Sequence, residues 1–140
     1  MKPALSSFAT FLFATIVFAA MNLPLAAHHS FNAEYDDTKP VTVSGTVTKV
    51  EWQNPHIWFF LDAKGSDGTV THWAFSGGAP GQLMRRGINK DVIQPGMTIA
   101  VRGFRAKDGS NNGSGGTVTF PDGRMVFTAG AEDKLPETKK

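Results

Sequence analysis

Residues 41–52 read VTVSGTVTKVEW. Valine and threonine dominate, and polar and apolar residues roughly alternate, which is the period of a half-buried strand. Gly45 interrupts the run and is expected to mark a bulge or sharp bend. Working outward, Gln53, Asn54 and Pro55 form a turn, and residues 56–63 (HIWFFLDA) give a second strand. Residues 64–68 (KGSDG) make a hairpin loop before a third strand over residues 69–75 (TVTHWAF). Glycines then lead into a short helix, about residues 80–86, closed by Gly87. After a turn at Gln94, Pro95 and Gly96, residues 97–106 (MTIAVRGFRA) form the fourth strand. Residues 108–116 are rich in Gly, Asn and Ser, and are expected to be a mobile, exposed loop. Residues 117–127 supply a fifth strand, or a small hairpin around Pro121, Asp122 and Gly123. The class is therefore all-β with one short helix, in the order of an OB-like five-stranded barrel. Closure would also remove exposed strand edges.

Upstream of this fold, residues 1–27 read as a Sec-type signal peptide. Lys2 gives a positive start, residues 8–21 (FATFLFATIVFAAM) an apolar stretch, Pro24 a helix break, and Ala26 and Ala27 the small residues before a cut. The apolar stretch is shorter than the ~20 residues a spanning helix needs, so no transmembrane segment is expected after cleavage. The expected organisation is a signal peptide over residues 1–27, an N-terminal arm over 28–40, the β domain over 41–130 and a charged tail over 131–140. The expected location is the periplasm or the exterior of a bacterial cell.

Losing Lys2 would change 14 basic residues to 13, against 12 acidic ones. So small an excess argues against nucleic acid as a partner. Cysteine is absent. That excludes disulfides, thiolate catalysis and Cys-based zinc or iron–sulfur sites.

Four segments carry a resemblance: residues 27–31 (AHHSF), residues 54–58 (NPHIW), Arg85-Arg86-Gly87, and residues 107–110 (KDGS). Together they resemble an uncharacterised family of small exported bacterial proteins built on a domain of unknown function. The resemblance covers nearly all of the chain after residue 27. It implies export and a compact OB-like β fold, and it brings no activity with it.

The chain has four histidines, and two of them, His28 and His29, follow the expected cut. A first-residue His offers its α-amino nitrogen and its imidazole to one metal ion. An α-amino pKa of about 7.7 lets a metal displace that proton near neutrality. Copper(II), or zinc, suits such nitrogen donors. His56 is the expected third nitrogen source. The arm is expected to fold back along the first strand through a turn near residue 38, bringing His28 beside Thr48 or Lys49. A flexible or turn-bonded role is the competing reading of each of these histidines. His72 is a weaker metal candidate. A hairpin centred near Ser66 sets it opposite Phe60, roughly 13 Å along the strand from His56.

Trp58 and Phe60 share one face of the second strand, and Ile57, Phe59 and Leu61 the other. With Trp73 and Phe75 on the third strand, this is more aromatic surface than a small core requires. Trp58, Phe60 and Trp73 are therefore candidates for a ligand face. The leading functional expectation is an exported metal-binding protein, with copper the first ion and binding or delivery its role. A second is a metal-free interaction module for a peptide or envelope protein partner. A third is a copper-dependent oxidase or oxygenase. Binding is favoured over turnover, because no substrate groove can be identified from the sequence.

Overall fold

The computed structural model describes residues 31–130 and Asp133. The described chain is mostly β, with seven strands in one sheet and two short helices. Helix α1 (Phe31–Glu34) runs directly into β1 (Tyr35–Glu51). Then come β2 (Trp58–Lys64), β3 (Val70–Ser76), α2 (Pro80–Arg85), β4 (Thr98–Ala106), β5 (Asn112–Ser114), β6 (Thr117–Thr119) and β7 (Met125–Phe127). The strand order is β1-β2-β3-β5-β4-β6-β7, with a further pairing of β1 to β4. The first five strands in that order therefore return on themselves. β6 and β7 extend the sheet from β4. Among the described residues no helix is long and apolar enough to cross a membrane.

β1 serves two neighbours. Its first part pairs with β4, from Pro40 opposite Phe104 to Thr46 opposite Thr98. Its last part pairs with β2, from Thr46 opposite Asp62 to Glu51 opposite Trp58. Gly45 sits at the handover, where a Cβ would lie 2.5 Å from the Asp62 carbonyl oxygen. Close approach, then, is what the glycine permits. The bulge itself falls three residues later, with Val47 opposite Leu61 and Lys49 opposite Phe60, leaving Thr48 as the extra residue.

The alternation read from the sequence places the core. Val43 and Val47 of β1, Phe59 and Leu61 of β2, Phe75 of β3, Ile99 and Val101 of β4 and Val118 of β6 all point inward, joined by Ile57 and by Leu83 of α2. Each fully buried Phe, Leu or Ile removes enough apolar surface to stabilise the fold by about 1.5–3 kcal/mol. A second, smaller cluster sits on the other side of β4. There Phe31 and Tyr35 cover Phe104 and Ala106. The Phe31 ring lies 5.4 Å from Tyr35 and 5.8 Å from Phe104.

Two expectations are corrected here. Among the described residues the strand count is seven rather than five, because residues 117–127 take the hairpin form, β6–β7, of the two that the sequence allowed, and because β5 forms inside the glycine-rich stretch. That stretch is not an exposed loop over its second half: Gly113, Ser114, Gly115 and Gly116 are buried. Their composition serves packing. A Cβ at Gly113 would lie 2.7 Å from the Phe75 ring, and one at Gly115 would lie 2.6 Å from the Phe59 ring. The Ser114 hydroxyl accepts from the Phe104 N–H at 2.9 Å. The short helix is where it was expected, closed by Gly87 at φ 77°.

Candidate functional site

His56 lies between β1 and β2, beside the C-terminal end of β3. Two backbone bonds hold its neighbour: Gly77 N–H to the Ile57 oxygen at 2.9 Å, and Ile57 N–H to the Gly78 oxygen at 3.2 Å. Gly77 has no alternative, since a Cβ there would lie 2.7 Å from the Ile57 side chain and 2.8 Å from the Thr128 oxygen. The His56 Nδ1 lies 3.0 Å from the Gly77 carbonyl oxygen. A carbonyl can only accept, so Nδ1 donates, and in the neutral ring Nε2 is left with a free lone pair. The ring as a whole is exposed. A fixed Nδ1–H with an outward Nε2 is how imidazoles are commonly oriented to bind metals.

One residue before Gly77, the Ser76 hydroxyl meets the Tyr35 hydroxyl at 2.5 Å, and the bond is buried. Burial, above all, pushes the Tyr35 phenol up from its ordinary range; the Ser76 bond works the other way, and the charges of Glu34 and Asp133 reinforce the rise. This contact fastens the start of β1 across β5 onto the end of β3. The start of the described chain and the His56 turn are thus tied to consecutive residues, Ser76 and Gly77. Sequence reading missed Tyr35 and Ser76. The only available signal was that Tyr35 is the one tyrosine in the chain.

The expected route of the arm differs. Residues 35–51 form one strand, with a pairing irregularity between Tyr35 and Pro40, so no fold-back turn occurs near residue 38. Asp36 does take a turn-like local bond to Thr38, whose hydroxyl and N–H hold its carboxyl below the usual carboxylate range. Nevertheless the strand continues through it. His28 and His29 lie outside the described residues. Among the described residues no group of three His, Asp or Glu side chains is placed to hold a metal.

His72 pairs with Asp62, and Phe60 pairs with Ala74. The hairpin is centred on Asp67, which accepts from the N–H and hydroxyl of Thr69. His72 is therefore two positions farther from His56 than a centre at Ser66 implies. Its Nδ1 donates to the Asp62 carboxylate at 2.6 Å, with the side chain 80% exposed. Trp58 and Phe60 stand half-buried on the outward side of β2. Trp73 is on the other side, packed against the core and stacked on Phe75 at 5.7 Å, with the Arg105 guanidinium 5.4 Å above it. The three aromatics do not share a face. Arg86 is tied down by donating to the Ala129 oxygen at 2.6 Å.

No curated protein matches the chain. A family model does, over residues 16–115, which takes in every strand from β1 to β5 and leaves β6 and β7 outside. On that match, over more than half of its length, the chain belongs to a family of unknown function, DUF6152.

Proposed function

We propose that this is an exported, periplasmic metal-binding protein whose domain is an OB-like barrel. It binds copper(II), with zinc as a second fitting ion, through nitrogens of His28, His29 and His56. The observation that carries the reading is the His56 ring. Its Nδ1 proton is spent on Gly77, leaving the Nε2 lone pair, and Gly77 directly follows Ser76, whose bond to Tyr35 anchors the incoming chain. His28 is three positions before Phe31, a span of at most about 11 Å of extended chain. Because the described residues hold no three-donor group of their own, the remaining donors come from upstream in this reading. Cleavage after Ala27 would make His28 a chelate of amine and imidazole. The closed circuit β1-β2-β3-β5-β4, with α2 between β3 and β4, supports the barrel. Binding or delivery is the role, rather than turnover.

The test is a copper(II) titration of the processed protein by calorimetry and electron paramagnetic resonance, with mass spectrometry of its N-terminus. One extra residue before His28, and separately His56→Ala, should each weaken binding at least about tenfold, or 1.4 kcal/mol, and alter the nitrogen hyperfine pattern. Unchanged affinity and spectra in both variants would overturn the reading. A second reading, a metal-free interaction module, is favoured by the half-exposed Trp58 and Phe60 on one outward face.

A further inference from the structure

The outward face of β1, β2, β3 and β5 carries an open groove of about 440 Å³, within the size range of small-molecule sites, about 300–1,000 Å³. It shares no residue with the histidine site proposed above. Its floor is Ala74, the smallest side chain on that face of β3. Phe60 flanks the floor on β2 and Asn112 on β5, in register with Ala74 on either side. The β1 bulge shapes one lip. By setting both Thr48 and Lys49 against Phe60, it turns a hydroxyl and an ammonium toward the groove, with the Lys49 nitrogen 5.5 Å from the Phe60 ring centre. The far end is the Asp62–His72 pair.

We infer that this groove binds one or two units of a neutral saccharide. The charges beside it are already partnered, Lys49 with Glu51 and Asp62 with His72, so no bare charge draws in anions or cations. What the walls offer is an aromatic face and a mixed ring of donors and acceptors: the Lys49 ammonium, the Asn112 amide, the second Asp62 oxygen and the His72 Nε2. Each sugar hydroxyl donates and accepts at once, and so fits such a ring. The C–H face of a pyranose suits the face of the Phe60 ring that Lys49 does not cover. A peptide is the weaker fit. β2, which crosses the middle of the groove, is paired along both edges, to β1 and to β3, so it offers no free ladder for strand addition. Single-stranded nucleic acid would require a net positive channel.

Titration of the folded protein with maltose, cellobiose and N,N′-diacetylchitobiose, each to high millimolar concentration, tests this by amide chemical shifts. At least one sugar should give saturable shifts confined to the bulge, β2, β3 and β5. Phe60→Ala and Asn112→Ala should each weaken that sugar at least about fivefold, whereas His56→Ala should leave it unchanged. If no sugar gives saturable shifts, or if the shifts survive both groove substitutions, the inference is wrong.

Discussion

At the scale of single residues, the backbone is packed more tightly than the side chains suggest. A Cβ on Gly103 would overlap the Ser114 carbonyl oxygen, an atom fixed by the β4–β5 contact. Gly103→Ala should therefore cost about 3 kcal/mol or more, in the range of severe overpacking, read as a lower urea midpoint. Tyr35→Phe should cost about 1–3 kcal/mol, because it leaves the buried Ser76 hydroxyl without its partner. That variant also has a pH signature. The folded phenol holds its proton more tightly than the unfolded one. Wild-type stability is therefore intact below about pH 10 and falls as pH rises from there through the folded pKa. Tyr35→Phe lacks this decline, so the two urea midpoints should converge in alkali. None of these residues announced itself in the sequence. A glycine chosen for close approach reads the same as one chosen for a flexible turn, and only the tertiary neighbour tells them apart.

At the scale of elements, strong alternation made β2, β3 and β4 legible, and the glycine closing α2 was legible as well. The core face of β2, Phe59 and Leu61, followed directly from period two. Three things were not legible. β5 hides in a stretch whose composition reads as loop, because its stability comes from parallel pairing with β3 and from ring contacts that glycines admit. The hairpin centre was displaced by one residue, from Ser66 to Asp67, since both positions offer turn chemistry; one residue of displacement moves every cross-strand partner by two. The start of β1 looked like a turn because Asp36, Asp37 and Pro40 favour one. Of the candidate site, His56 was legible, and its Gly77 and Tyr35–Ser76 surroundings were not. Hydrogen exchange separates the buried glycine strand from a true loop. The Gly115 N–H, bonded to the Ser76 oxygen at 2.6 Å, and the Thr128 N–H, bonded to the Gly116 oxygen at 3.0 Å, should exchange slowly. The Gly68 and Gly123 N–H groups, in exposed turns, should exchange orders of magnitude faster.

At the scale of the whole molecule, stability rests on closing the circuit, because no disulfide assists. The segment just after β7 acts as its latch. Thr128 is fully buried, its hydroxyl donates to the Gly115 oxygen, and its carbonyl accepts from Gly78 at 2.7 Å. Ala129 adds the acceptor for Arg86. Ending the chain after Phe127 removes all of these bonds and orphans the Gly78 N–H. The expected result is loss of cooperative thermal unfolding near the wild-type temperature, seen by calorimetry, rather than a small shift. The same circuit also sets a timetable for synthesis. β1 is made first, yet most of its length has no partner until β4 exists, and Tyr35 must wait for Ala106. Contacts so distant in sequence form slowly. A nascent chain can build the β2–β3 hairpin early, but the first half of β1 stays a bare strand until residues 98–106 have emerged. Until β4 is made, such a chain remains threadable through a narrow passage.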